Sequence, residues 1–397
     1  MDRKKSILVM LAGVNFTHVM FTMILMPLGD EFMVEFGIDA LQFSHLVTVY
    51  ALAAFVSGFA GIFLMDLFDR KKSLLFLYTG FWLAVMACSF VRSYEQLLLL
   101  RFISGAFGGV IGALALAIVS DLFTFKKRSS ALGILMAGFS AAAALGIPFG
   151  LILSDWYSWR TTFVFISALA ALITIFILFL FPSILPPVKK YKFSLLKNPL
   201  VEIFKSKNQL LALGLGFTLI LGHFLIIPFI APYMIRNVGF DMQQISYIYL
   251  VGGTLTVFST PLIGRLTDRT GPFRGMILFM GLSFVPVLIL TQLGETSLFF
   301  GLVVTSLFFV LGSGRMIAPQ TIITAAAPPE TRGGYMSLKS SLQQLSIAVA
   351  SFVSGLIVVL DENKEYFENY DKVGYLSILI CILAIAMAGK VKVARGN

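Results

Sequence analysis

Twelve stretches of this 397-residue chain run apolar for the ~20 residues that a bilayer crossing needs, and no other feature restricts its folding so severely. They lie at roughly 7–29, 42–65, 74–92, 96–120, 131–153, 161–182, 208–235, 243–264, 275–292, 296–324, 335–360 and 373–389. A backbone surrounded by hydrocarbon must hydrogen-bond within itself, which allows helices or a closed barrel, and the alternating pattern of barrel strands is absent. The runs predict an all-α membrane protein of twelve transmembrane helices. Composition agrees: 58% of residues are hydrophobic and 13% charged, against roughly 25% charged in a soluble domain. Met1-Asp2-Arg3-Lys4-Lys5 leads into a span too long for a signal peptide's apolar core and shows no convincing cleavage site, so the first helix is expected to remain.

The net charge of +10 is a topology signal. Lys and Arg crowd the N-terminus, 69–72, 126–128, 189–207, Arg265 to Arg274, Arg332, Lys339 and the tail; the other side of the membrane holds Arg92, Arg160, Arg236, Lys364 and Lys372. Basic loops stay in the cytoplasm, so both termini are expected there. The basic residues are scattered over short loops, which gives no case for nucleic acid. Cys88 and Cys381 lie in apolar spans without framework spacing.

The chain also repeats itself. "FGIDALQFS" at 36–44 and "VGFDMQQIS" at 238–246 place Gly37 and Gly239, and likewise Asp39 and Asp241, 202 residues apart. Asp66 and Asp268 share that offset, and His18 and Pro27 match His223 and Pro232 with equal spacing. The one long connection, 183–207, carries prolines and six lysines and reads as a cytoplasmic linker with room for a surface helix. The expected organisation is a six-helix bundle at 1–182, the linker at 183–207 and a second six-helix bundle at 208–397. Six spans per half give both halves the same orientation, the parallel repeat of transporters that bind substrate between two bundles near the bilayer midplane.

Several motifs resemble those of the major facilitator superfamily. "GRLTDRTG" at 264–271 resembles its loop motif between the second and third spans of each half, with Gly264, Asp268, Arg269, Gly271 and then Arg274 in register. The first-half copy, "LMDLFDRKK" at 64–72, keeps Asp66, Arg70 and Lys71 but has lost its glycines. "LLLLRFISGAFGG" at 97–109 is similar to the fourth-span motif through Arg101 and Gly105. "GFSAAAALGIPFGLIL" at 138–153 resembles the fifth-span motif of exporters, reduced to Gly138, Gly146, Pro148 and Gly150. Together with "WRTTF" at 159–163 and "PPETRGGYMSL" at 328–338, they point to the drug:proton antiporter and sugar-efflux branch.

A carboxylate at the C-terminal end of a helix is favourable only against a positive partner. The resemblance supplies one: the first-half Asp meets the start of the eleventh span, here near Tyr335, and the second-half Asp the start of the fifth, near Ser129. Asp66 and Asp268, with Arg70, Arg128 and Arg269, are thus expected to form a cytoplasmic latch that breaks when the protein opens inward. The fifth-span motif is expected to bend its helix and to allow tight packing between the halves, which the resemblance associates with limiting leak.

All 20 Asp and Glu residues fall in loops or at span ends, and Phe21 stands where related sequences often carry an Asp. Carboxylate-based proton coupling is then in doubt, or moved outward to Asp30 and Glu31 within reach of Arg92 or Arg101. Mid-membrane, the chain offers His18 and His223, whose matched depth would set them on opposite sides of a central cavity. A neutral histidine tying two helices together is the alternative for either one. Arg101 carries a coupling role by resemblance, with snorkelling to the interface as its alternative. Arg315, among glycines, could face an anion or snorkel, and Asn15 and Tyr233 could supply polar contacts. Two histidines without a third ligand make no metal site, and no Walker pattern exists, so neither cofactor nor ATP is expected.

The sequence therefore reads as a monomeric transporter in a bacterial inner membrane, exporting a small organic compound against protons by alternating access. The alternatives are a proton-independent facilitator or importer of an anionic metabolite or amphipathic lipid, and a transporter-like sensor. A membrane enzyme is disfavoured, because no nucleophile–base pair or metal cluster is visible.

Overall fold

The computed structural model describes residues 3–64, 68–123, 125–183, 200–328, 332–363 and 365–392. Twelve helical crossings are present, as the apolar runs predict. In the first half they are α1 (Arg3–Ile24), α3 (Ala40–Leu64), α4 (Arg70–Cys88), α5 (Tyr94–Leu122), α6 with α7 (Phe125–Ala141 and Ile147–Trp156) and α8 (Trp159–Leu180). The second half contributes α10 with α11 (Lys207–Phe224 and Ile230–Arg236), α12 (Met242–Thr270), α13 (Pro272–Leu290), α14 (Leu298–Ala325), α15 (Arg332–Ile357) and α16 (Tyr370–Ala388). Two short helices, α2 (Gly29–Phe36) and α9 (200–205), lie outside these crossings. A two-residue hairpin pairs β1 (Val359–Leu360) with β2 (Phe367–Glu368) before α16. Eleven crossings are long and apolar enough to span a membrane by composition alone. The remaining one, α4, opens on Arg70-Lys71-Lys72.

The sequence repeat has a structural counterpart in its turns. Gly37 and Gly239 both take positive φ, 63° and 83°, which an L side chain rarely adopts. Two residues on, each Asp closes the same capping box. Asp39 accepts from the Gln42 backbone at 2.7 Å while the Gln42 side chain accepts from the Asp39 backbone at 3.0 Å. Asp241 and Gln244 repeat both bonds at the same distances. The second and eighth crossings in the chain's direction of travel, α3 and α12, therefore begin with identical chemistry.

The fifth crossing departs from a plain helix, as its motif predicts. Pro148 has no N–H to offer the Ala144 carbonyl, and the turn before it, Ala142–Gly146, widens to a π-helix. The glycines of the motif serve a different contact from the one expected. A Cβ at Gly138 would collide with the Ala12 backbone carbonyl of α1, one at Gly146 would lie 3.1 Å from Phe16, and one at Gly150 3.0 Å from Ile24 and Thr162. These glycines pack the crossing against its own half. Between the halves, Gly253 of α12 meets this same crossing, with a Cβ 3.0 Å from the Ala143 carbonyl, and Gly355 of α15 meets α3, where a Cβ would collide with the Ser44 hydroxyl.

Of the linker, α9 is described: it is largely exposed, with Val201 and Phe204 facing outward, and Ile203 alone is fully buried, in the apolar cluster of the second bundle. Ser206 then caps α10. Lys4 donates to the Leu122 carbonyl at 2.9 Å, and Asn208 exchanges hydrogen bonds of 2.7 Å with Lys392, gathering the start of α1, the end of α5 and both ends of the second bundle on one face. This termini face, and the face opposite to it, frame the site.

Candidate functional site

A cavity of about 1080 Å³ lies between the two bundles. Its walls come from α1, α3, α5 and α6 on one side and from α10, α14 and α15 on the other. They extend from Met26 and Ile227 to Arg70, Ser120, Leu200 and Gly334 near the termini face. Its polar wall includes Asn15, His18, Thr22, Tyr50, Arg101, His223, Gln343 and Gln344, and among the described residues no Asp or Glu lines it. The two histidines stand on opposite bundles across the same space.

In the first half, one helical turn separates His18 from Thr22, whose hydroxyl donates to the His18 carbonyl at 2.8 Å and reaches the Tyr50 hydroxyl at 3.1 Å. Tyr50 in turn lies 3.1 Å from His18 Nε2. Gly105 and Gly109 let α5 lie directly on α3, since a Cβ at either would strike the Tyr50 or Ala54 carbonyl. That close approach delivers Arg101 beneath Tyr50. The guanidinium is fully buried, 4.3 Å from the Tyr50 ring centre and 4.8 Å from that of Phe21, and its Nε donates to the Leu46 carbonyl at 3.2 Å. Snorkelling is therefore excluded for Arg101. Its Nη1 has no hydrogen-bond partner. Phe21, in the place of the expected carboxylate, packs edge-on against Phe81 and Phe163 as a platform for the arginine. Asn15 lines the cavity while donating to the Leu135 carbonyl at 3.1 Å, tying α1 to α6.

In the second half, α10 breaks just after His223, at the 3-10 turn Ile227–Phe229 that Pro228 introduces. The imidazole stacks on Phe308 with ring centres 5.7 Å apart, and its Nδ1 lies 2.6 Å from Arg315 Nη2. Arg315 does not reach the cavity wall as expected. It stands behind His223, 1% exposed, with Nη1 3.6 Å from Cys381 Sγ and Nε unpartnered. The room expected beside Arg315 is taken by side chains: Gly312 admits His223, and Gly314 admits Phe279. Tyr233 is also away from the cavity, 6% exposed, its ring 4.7 Å from that of Tyr370.

The expected latch on the termini face is not made among the described residues. Asp268 and Arg269 are exposed at the end of α12, and Asp268 forms no ion pair with a described residue. Arg70 pairs within its own half, its Nε 3.0 Å from Asp121 of α5. Asp66 and the side chain of Arg128 lie outside the described residues.

The opposite face is closed. Asp30 of α2 and Arg236 of α11 form an ion pair across the halves, with Arg236 also over the Phe367 ring. Phe43 meets Phe229 edge-on at 5.7 Å, and Thr48 donates to the Ala348 carbonyl at 3.3 Å. Asp30 and Glu31 thus face other partners than the expected Arg92 or Arg101. Ser154 lies 2.9 and 2.8 Å from the two carboxylate oxygens of Glu31. Glu31 lies beyond the end of α1, and burial raises its carboxyl to about 7, with Asp30, Asp155 and Glu35 adding and the Ser154 bond opposing. Arg236 carried a signal that sequence reasoning could have used: it is one of the few basic residues on the acidic side.

Two packed bundles around a cavity whose described lining reaches toward one face and which is sealed at the other define the alternating-access class of membrane transporters. The profile of the Major Facilitator Superfamily matches residues 11–222 and again 212–393, and the chain belongs to that family. It is 28% identical over 363 residues to "Multidrug resistance protein MdtG" of Proteus mirabilis (strain HI4320), covering 86% of each chain. It is 27% identical over 280 residues to "Probable sugar efflux transporter" of Pasteurella multocida (strain Pm70), covering 70% of this chain and 67% of that one. The solved bacterial homologue of the human lysosomal transporter Spinster, in an inward-facing and occupied conformation, superposes with a TM-score of 0.77 at 15% identity, covering 99% of this chain and 98% of that one. That likeness concerns the fold alone. The protein is a transporter, as the sequence predicts, and not an enzyme.

Proposed function

We propose that this protein exports small organic compounds from a bacterial cytoplasm by proton antiport, the bundles at 1–182 and 208–397 rocking about the cavity while 183–207 joins them. One chain supplies both halves, so a monomer suffices. The observation that carries the reading is the cavity itself, its described lining reaching toward the termini face and its opposite end closed by contacts that side-chain rearrangement can break. The basic loops put the termini face in the cytoplasm, so this is the loading state of an exporter. Relatives named for multidrug resistance and sugar efflux support the direction.

In this reading proton coupling uses no carboxylate among the described residues of the cavity wall. Glu31, held near neutral pKa on the far side, is the carboxyl best suited to take a proton from outside and release it after closure. Arg101 and His18, joined through Tyr50, are the cavity groups whose interactions change with substrate. The test is proton flux in proteoliposomes under an imposed pH gradient, with drugs, sugars and organic anions as substrates. Substrate-evoked proton movement is expected in the wild type and lost in Glu31→Gln and His18→Ala. Substrate flux that moves no protons and ignores the gradient would leave a facilitator in place of an antiporter.

A further inference from the structure

The charges around the cavity are one-sided. Among the described residues no carboxylate lines its wall, and two buried guanidiniums bear on it without the ion pair that Arg70 has: Arg101 at the wall and Arg315 behind His223. Neither Arg101 nor Arg315 has a carboxylate partner among the described residues. An arginine keeps its charge in any protein environment, and a buried charge without a counter-ion is costly. Arg101 is partly relieved by the faces of Tyr50 and Phe21 and by the Leu46 carbonyl. Among the described residues Arg315 has only an imidazole nitrogen and a thiol as partners, and its Nε is bare.

Proton accounting at His223 shows where that charge is felt. A guanidinium can only donate, so His223 Nδ1 accepts from Arg315 and the imidazole proton resides on Nε2. Nε2–H makes no hydrogen bond to any described residue, on a ring that lines the cavity. The cavity is thus offered a hydrogen-bond donor polarised from behind by a fixed positive charge.

We infer that His223, backed by Arg315, is the headgroup site for an amphipathic organic anion, and that such anions are the substrate class. A carboxylate at Nε2–H would gain a charge-assisted hydrogen bond and attraction from both arginines in a medium of low dielectric. A neutral headgroup gains only the hydrogen bond, and an organic cation meets repulsion with no acid among the described wall residues to offset it. Met23, Met26, Phe224, Ile227 and Met316 supply an apolar wall for the rest of the molecule. The inference names the substrate class of the cavity in the proposed function and rests on that reading for transport, though not on its direction or proton coupling.

The test is equilibrium binding to the full chain in lipid nanodiscs, which needs no flux and so stands apart from the exporter reading. The probes share a naphthyl, biphenyl or decyl body and differ in headgroup: carboxylate, primary amide or amine. On at least one body the carboxylate is expected to bind about tenfold or more tighter than the amide, and the amine weakest. Arg315→Gln should remove the carboxylate preference while amide binding persists, which also reports that the variant is folded. His223→Gln, which keeps an N–H donor, should retain more of the preference than His223→Leu. A wild-type protein that binds no carboxylate, or binds amide or amine at least as tightly, overturns the inference without any variant. So does an Arg315→Gln protein that weakens all three headgroups equally.

Discussion

Glu31 shows how one side chain can couple this fold to pH. Its carboxyl, raised to about 7 from the ordinary 4.5, favours the protonated form in the folded protein. Stability from this group is therefore fullest below pH 4.5 and declines as pH rises through about 7, where Glu31 must charge inside its pocket beside Asp30 and Asp155. Melting temperature between pH 5 and 8 should fall more steeply for wild type than for Glu31→Gln, which is neutral throughout. Parallel slopes would remove Glu31 from the pH response. How much of this was legible in the sequence differs by residue. The repeat predicted that His18 and His223 share a depth, and both line the cavity. It could not say that Arg315 stands behind His223 or that Tyr233 turns away, because spacing along a span gives depth and not rotation about the helix axis. Glu31 meeting Ser154, 123 residues away in sequence, is a tertiary contact that no local pattern encodes.

At the scale of the helices, contacts between neighbours depend on where glycine removes a side chain. A Cβ at Gly109 would strike the Ala54 carbonyl and the Ser57 hydroxyl, and a backbone carbonyl cannot swing aside. Gly109→Ala should force α3 and α5 apart at about 1–3 kcal/mol, displacing Tyr50 from Arg101. Gly112, three residues on, meets nothing within 4 Å. Gly112→Ala should leave stability unchanged or raise it by up to about 1 kcal/mol, since alanine is the better helix former. Paired thermal melts check the contrast, and equal losses would show that the helix tolerates neither position for reasons other than packing. The sequence carried the motif glycines but not their partners. Gly138, Gly146 and Gly150 line up on α1, and a contact between halves went instead to Gly253, which belongs to no motif. By contrast, the turns at Gly37 and Gly239 and the capping boxes after them were readable in advance, because glycine, Asp and Gln act there within five residues of one another.

Twelve crossings and two halves follow from hydropathy and repeat, but which face is open does not. That choice is a balance of a few kcal/mol between contacts on the two faces, and those contacts join residues from both halves. On the termini face Asp268 is exposed without an ion pair to any described residue. On the opposite face Asp30 and Arg236 are paired, their side chains only 17% and 13% exposed. Removing one partner of such a pair leaves the other charge poorly compensated. Asp30→Asn should therefore weaken the closed face by on the order of 2 kcal/mol, roughly a thirtyfold shift toward opening on that side. Cys88 and Cys381 are both buried, so the native background for thiol labelling is low. A cysteine introduced at Val47 of the cavity wall should become more accessible to a membrane-impermeant reagent added on the face opposite the termini when Asp30→Asn is present. The swap Asp30→Arg with Arg236→Asp should restore protection, since it rebuilds the pair with reversed sign, whereas either swap alone should open the face further by like-charge repulsion. Labelling that ignores Asp30→Asn would mean that the aromatic contact of Phe43 with Phe229 and the Thr48–Ala348 hydrogen bond hold the face shut without the ion pair.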